Sequence, residues 1–281
     1  MDRLRGFISI IRPINSIMMG IAIIVGVLIA GGYGIVSTKL LLLSWFTGFT
    51  LSSAAMVIND YFDREIDLVN EPTRPIPSGA VKPVEAVVYS LVLSIAGIIT
   101  ANLTNSIALI VAVVSWCVMM AYSVWGKKTG FPGNLMVSIC ITFPFLYGGI
   151  LSDRVEASIL FSLLAFLTNT GREITKGIVD VEGDRSRCVN TLAVRFGAET
   201  AAKVASAFYV SGALASVLPI IMNQTSMWYI PFVIVTDSGL LFGTYNLLRD
   251  PSRETSRKVK IQTLYWMFFG LIAFAAGSLI K

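Results

Sequence analysis

Nine of the 17 acidic residues fall in two short windows. The first holds Asp60, Asp63, Glu65, Asp67 and Glu71, and the second holds Glu173, Asp180, Glu182 and Asp184. At about 100° per residue on a helix, Asp60, Asp63 and Asp67 lie within roughly 60° of one another, and Glu65 points away. Asp180 and Asp184 are i,i+4 neighbours. Their stripe, extended backwards, takes in Lys176, Glu173 and Asn169, with Arg172 at its edge, while Glu182 faces elsewhere. Like charges at this spacing repel on a bare helix and cost more near hydrocarbon, so a bound cation is the natural explanation. Carboxylate oxygens suit Mg²⁺, which takes one or two protein carboxylates and fills its shell from water and substrate phosphates. Asp60, Asp63, Asp67, Asp180 and Asp184 are therefore the predicted metal ligands. Two such motifs face to face would hold metal ions on a diphosphate and assist its departure by electrostatic stabilisation. The bland alternative is a pair of solvated helix ends, salt-bridged to Arg64, Arg185 and Arg187.

Other chemistries are excluded. The chain has no histidine, which removes histidine-ligated zinc, imidazole-bound haem and Ser-His or Cys-His catalysis. Cys117, Cys140 and Cys188 form no CxxC pattern, so no disulfide is expected.

The elements that must position these carboxylates are membrane spans. Of the 281 residues, 55% are hydrophobic and only 14% charged, against about 25% charged in a soluble domain. Nine apolar runs approach or exceed the ~20 residues that cross a bilayer, at 14–32, 40–59, 84–101, 104–122, 132–151, 157–176, 202–222, 227–248 and 261–280. The expected fold is all-α and integral to the membrane, a single domain over 1–281. No signal peptide is expected, and the first residues read as a basic amphipathic lead-in. With nine spans, 19 of the 22 Lys and Arg residues fall on the side that holds the N-terminus. The positive-inside rule then makes that side cytoplasmic, in a multi-pass cell-membrane protein. The longest connections, 60–83 and 177–201, lie on the same side, so cytoplasmic cap segments carrying the active site are expected. The two windows follow spans two and six, which points to duplicated four-helix units with a ninth helix added. Asp237, well inside the eighth span, reads either as functional or as a hydrogen bond to a neighbouring helix.

At these residues the sequence resembles the UbiA family of intramembrane prenyltransferases. The family's NDxxDxxxD motif matches Asn59, Asp60, Asp63 and Asp67, and its DxxxD motif matches Asp180 and Asp184. Where the family often has an acid after the lysine, this chain has Gly177. Further matches are the Arg74-to-Gly79 stretch, Tyr122-Ser123 followed by Lys127, and Gly133-Asn134. The resemblance runs from about residue 7 to the last span. It implies nine helices around a central cavity under cytoplasmic loops. A prenyl diphosphate would bind through Mg²⁺ to the five aspartates, with its tail in the bundle.

The resemblance also implies a substrate-binding set of Asn15, Asn59, Arg74, Tyr122, Lys127, Arg172 and Lys176. Arg74, Lys127 and Lys176 would neutralise phosphate oxygens as the allylic C–O bond breaks, and Asn59 could add an amide oxygen. Tyr61, Phe62 and Tyr122 are candidates for the wall facing the allylic cation. Arg12-Pro13-Ile14-Asn15 and the Arg74 stretch look most like the members that transfer geranylgeranyl to the free hydroxyl of geranylgeranylglyceryl phosphate, in archaeal ether-lipid synthesis. Arg12, Lys128, Arg185 and Arg187 are then possible contacts for the acceptor's phosphate. The expected partners are the bilayer, this diphosphate donor and the lipid-phosphate acceptor, with no nucleic acid and no obligate protein partner. The competing readings are a family member that prenylates an aromatic acceptor for quinone or chlorophyll synthesis, and a divalent-cation transporter. A lipid-head-group phosphotransferase is a third, but the Gly-Ala-Arg run of its signature is missing.

Overall fold

A computed structural model describes residues 2–31, 34, 36–186 and 189–279. Arg187 and Cys188 lie outside the described residues. Among those described, every regular element is helical: α1 (Arg3–Ile10), α2 (Pro13–Ile29), α3 (Thr38–Asn70), α4 (Pro83–Asn102), α5 (Ser106–Val124), α6 (Phe131–Leu151), α7 (Val155–Val179), α8 (Val181–Ser186), α9 (Leu192–Ala215), α10 (Leu218–Ile221), α11 (Tyr229–Arg249) and α12 (Arg253–Leu279), with a 3-10 turn at Gly126–Thr129.

Each predicted span falls on a helix. By length and composition, however, seven stretches rather than nine are apolar enough to cross a membrane: those that include α2, α3, α4, α5, α6, α9 and α12. The two that fall short are α7 and α11. The reason is polar side chains along both. α7 buries Thr168, Asn169, Thr170, Glu173 and Thr175, and α11 carries the half-buried Asp237 and Asn246 besides the buried Thr236 and Thr244. Polar side chains turned into the bundle lower the hydropathy of a helix without exposing it to lipid. The opposite sign appears on the outside. Leu91, Val92, Ile95 and Ile99 of α4, Ile107 and Ile110 of α5, and Leu241, Phe242 and Leu248 of α11 are large, apolar and exposed. In water such a belt would drive aggregation, whereas in a bilayer it is the lipid-facing surface. The protein is a multi-pass membrane protein.

Helices that cannot rely on the hydrophobic effect inside lipid associate through small residues and hydrogen bonds. Ser90 donates to the Ala54 carbonyl at 2.9 Å, tying α4 to α3. Trp116 Nε1 donates to Ser94 at 2.9 Å, tying α5 to α4. Thr104 and Tyr147 share a 2.6 Å hydrogen bond. One core, built on Phe145, Phe161, Tyr229 and Phe274, joins α6, α7, α11 and α12. A second, on Ile174, Ile178, Ala205 and Tyr209, joins α7, α9, α11 and α12. These cores fix α7 relative to its neighbours and so position one of the two acidic windows. A third, smaller core (Ile10, Val57, Ile76, Val81) seats α1 and the segment after α3 against α3 itself, and thereby positions the other.

Candidate active site

α3 has 33 residues, or about 50 Å at 1.5 Å per residue, longer than the ~30 Å hydrocarbon core. Its last turns carry the first window beyond the apolar part of the bundle. Asp60, Asp63 and Asp67 share one face, as predicted, and are buried to 4%, 6% and 5% exposure. Each is met by a cation from a different segment. Arg12, at the corner between α1 and α2, donates to Asp60 at 2.7 Å. Its backbone is left-handed, with φ +47°, a conformation that non-glycine residues adopt at a cost when surroundings impose it. Arg74 donates to Asp67 at 2.7 Å and stands 3.7 Å from Asp60. Lys127, in the 3-10 turn, pairs with Asp63. Asn59 donates its amide to Asp63 at 3.0 Å. Burial raises the Asp67 carboxyl above its ordinary range, with Arg74 opposing. Burial also works against the Arg74 charge, but Asp67 and Asp60 outweigh it and hold the guanidinium above its usual value.

The second window is built differently. Asn169 donates to Ser138 at 3.2 Å within the bundle. Glu173 is buried between Arg172 at 2.9 Å and Lys176 at 3.2 Å. The predicted helix does not run unbroken to Asp184. α7 ends at Val179, where Arg253 Nε of α12 takes the terminal carbonyl at 3.1 Å. Asp180 occupies the break and Asp184 lies on α8. The i,i+4 relation survives in the backbone, because the Asp184 N–H bonds the Asp180 carbonyl at 2.9 Å.

Tyr122 of α5 interacts with both windows. Its hydroxyl is within electrostatic reach of Asp63 in the first, and of Asp184, Glu173 and Lys176 in the second. The connecting segments also touch. Gly130 has φ +74°, and a Cβ there would collide with the Asn190 carbonyl, so only glycine lets the turn that carries Lys127 pack against the segment after α8.

The other sequence candidates divide. Tyr61 packs in the small core under α1 and carries Arg64 4.5 Å above its ring, while Phe62 is exposed. Of the three aromatics, Tyr122 is the one within electrostatic reach of both acidic windows. Arg12, read as a possible acceptor contact, is engaged by Asp60. Asn15, Lys128 and Arg185 are exposed. Asp237 accepts from Ser216 at 2.6 Å, the interhelical hydrogen bond. Lys260 of α12, which sequence reasoning counted only toward charge asymmetry, interacts electrostatically with Asp180, Lys176 and Arg172. No sequence signal separated it from the basic residues around it. Among the described residues, no three acidic, cysteine or histidine groups are close enough to hold a metal unaided.

An all-helical, multi-pass protein with two acidic helix ends in electrostatic reach of one tyrosine has the architecture of an intramembrane transferase. The UbiA prenyltransferase family profile matches residues 19–272, and the chain belongs to that family. It is similar to the digeranylgeranylglyceryl phosphate synthase of Thermococcus sibiricus, with 35% identity over 278 residues covering 99% of each chain. It is also similar to a solved structure reported for digeranylgeranylglyceryl phosphate synthase in membranes, at TM-score 0.83 and 32% identity, with both chains fully covered. A UbiA homologue from Archaeoglobus fulgidus, solved with DMAPP and Mg²⁺, shares the fold at TM-score 0.68 and 16% identity over 96% of this chain and 99% of that one. The protein is a prenyltransferase.

Proposed function

We propose that this enzyme transfers a geranylgeranyl group from geranylgeranyl diphosphate to the free hydroxyl of geranylgeranylglyceryl phosphate. Full-length similarity to synthases of that product supports the substrates. The observation that carries the chemistry is Tyr122, within reach of both acidic windows at once. In this reading nine helices span the bilayer around a central cavity, and the N-terminus, the cap segments and the site face the cytoplasm. The 19-to-3 split of basic residues supports that orientation.

The residues present fit a divalent metal. The five carboxylates offer hard oxygen donors, the type that suits Mg²⁺, which takes one or two protein carboxylates and draws its remaining ligands from phosphate and water. Bound there by Asp60, Asp63, Asp67, Asp180 and Asp184, Mg²⁺ would neutralise charge developing on the diphosphate. Asn59 orients Asp63. Arg74 and Lys127, now on carboxylates, are placed to transfer to phosphate oxygens. Asn15, exposed on the first turn of α2, belongs to the same substrate-binding set. Tyr122 presents its ring and hydroxyl where the allylic carbon would sit. A cleft lined by Ile23, Leu51, Val111, Met119 and Phe143 among α2, α3, α5 and α6 suits a hydrocarbon tail.

The allylic C–O bond breaks, with its electron pair leaving on the diphosphate. The acceptor oxygen then bonds to the allylic carbon, and its proton passes to a carboxylate or to the released diphosphate. No imidazole is needed, because an oxygen nucleophile need not be ionised to attack a carbocation. The test incubates the purified enzyme with geranylgeranyl diphosphate and, separately, the phosphorylated glyceryl ether and an aromatic acid. Alkylation of the glyceryl ether is expected. Alkylation of the aromatic acid instead would replace this reading with that of an aromatic prenyltransferase.

A further inference from the structure

Around Glu173, two cations pair with one buried carboxylate and a third stands within electrostatic range. Arg172 and Lys176 hold its two oxygens at 2.9 and 3.2 Å. Lys260 reaches the same place from α12. It lies within electrostatic range of Glu173, Lys176, Arg172 and Asp180, and among the described residues it forms no salt bridge. Arg172 Nε is buried and has no hydrogen-bond partner. A buried N–H without an acceptor costs free energy, so such groups call for an explanation.

Membrane-side positive charge does not explain Lys260. On the same turns of α12, Arg253, Arg257 and Lys258 are exposed, whereas Lys260 is partly buried toward α7. The fold is braced to hold it there. The Tyr209 hydroxyl of α9 hydrogen-bonds Thr175 of α7 at 3.1 Å and Thr263 of α12 at 3.3 Å. Gly171 admits the Tyr209 ring, since a Cβ would stand 2.8 Å from it.

We propose that Arg172, Lys176 and Lys260 form the binding site for the phosphate of the acceptor lipid, which moves Lys176 from the donor diphosphate, where the sequence placed it, to the acceptor. The inference rests on the reading that the acceptor is a glyceryl phosphate. With Asp180 engaged by the metal, three cations against Glu173 leave two positive charges, which a phosphate monoester matches with close to two negative ones at neutral pH. Asp180, also near Lys260, is assigned to the metal. A guanidinium with a free Nε offers the planar donor geometry that suits phosphate oxygens. Within one glycerol unit the phosphate and the free hydroxyl are only a few bonds apart. Holding the phosphate on α7 and α12 therefore sets the hydroxyl beside Tyr122, between the acidic windows.

The test uses the full-length enzyme with both substrates. Lys260→Gln raises the acceptor KM about 10- to 100-fold, the range for losing a hydrogen bond to a charged group, and leaves the geranylgeranyl diphosphate KM unchanged. Lys260→Arg restores most of the acceptor affinity. In the wild type, glycerol phosphate competes with the acceptor and not with the donor, and glycerol does neither. This arm needs no variant, so it decides the matter even if Lys260→Gln folds poorly. An unchanged acceptor KM in Lys260→Gln, an equal rise in both KM values, or competition by glycerol phosphate against the donor would each overturn the assignment. If the wild type ignores the phosphorylated glyceryl ether altogether, it is the proposed function that fails, and the two failures are separated by that control.

Discussion

The two acidic windows use the same residue types in opposite electrostatic arrangements. On α3, three buried aspartates meet three cations drawn from the α1–α2 corner, the segment after α3 and the 3-10 turn. On α7, one buried glutamate is held by two cations with a third nearby. Desolvating charge is costly unless partners compensate, so each buried aspartate of the first window is paired before any ligand arrives, while in the second the buried Glu173 alone faces three cations and Asp180 and Asp184 lie further along the chain. The first can exchange internal ion pairs for metal and diphosphate without a large change in net charge. Around Glu173, cations outnumber the buried carboxylate once Asp180 is engaged elsewhere.

The largest effects come from removing the shared requirement for carboxylates. Asp60→Ala and Asp184→Ala are each expected to lower prenyl transfer by about 100- to 1000-fold, the scale for losing a preorganised group that stabilises developing charge. EDTA should do the same to the wild type, with activity regained on adding Mg²⁺. Near-normal turnover by either purified variant, still folded by circular dichroism, would break the view that both windows serve one site.

A sharper contrast lies within the first window. Because burial raises the Asp67 carboxyl despite Arg74, its ionised form is less favourable in the folded protein than in the unfolded chain. That penalty is present above the folded pKa and is relieved as pH falls through it. Asp67→Asn should therefore abolish transfer yet leave the metal-free thermal midpoint unchanged or raised. It should also flatten the gain in stability that the wild type shows on mild acidification. A clear fall in the midpoint would mean that the Arg74 pair outweighs desolvation.

The windows should also respond oppositely to losing a cation. Arg74→Met strands buried carboxylates. Breaking a buried pair costs about 3–5 kcal/mol, and because Arg74 is one-third exposed the discounted expectation is about 1–2 kcal/mol. Lys260→Gln relieves like-charge repulsion and should cost less than about 0.5 kcal/mol, the level of substitutions away from any critical contact. Denaturant melts in matched detergent compare the two, and equal losses would erase the distinction between a balanced and a cation-rich cluster.

The apolar runs and the face shared by Asp60, Asp63 and Asp67 were legible in the sequence because hydropathy and helical period are local properties. What escaped was set by contacts between distant segments. The break at Asp180 coincides with a guanidinium 73 residues further on that takes the Val179 carbonyl. Arg12 reaches Asp60 through a left-handed corner that no propensity favours at an arginine. Lys260 stood in a run with Arg253, Arg257 and Lys258, and only the packing of α12 on α7 turns it inward. The sequence read spans on α7 and α11 as well, where their polar residues leave them short of the apolar character of the other seven.

Asp237 offers the smallest effect and a control for the whole comparison, because it is an acid outside both windows. Acids inside membrane spans are functional by default, and the sequence left that reading open. In the structure Asp237 accepts one hydrogen bond from Ser216 Oγ, near the end of α9, where Tyr229 also donates to the Ser216 carbonyl at 3.0 Å. The contact ties α9 to α11 and needs only an acceptor oxygen. Asparagine keeps that oxygen and removes a charge from a low-dielectric setting. Asp237→Asn should then leave both KM values and kcat within about twofold and shift stability by less than about 1 kcal/mol, the net worth of an ordinary hydrogen bond. Asp237→Leu, which removes the acceptor, should lower stability more and activity little. A large loss of turnover in Asp237→Asn with stability intact would place a third acidic group in the reaction and end the two-window account.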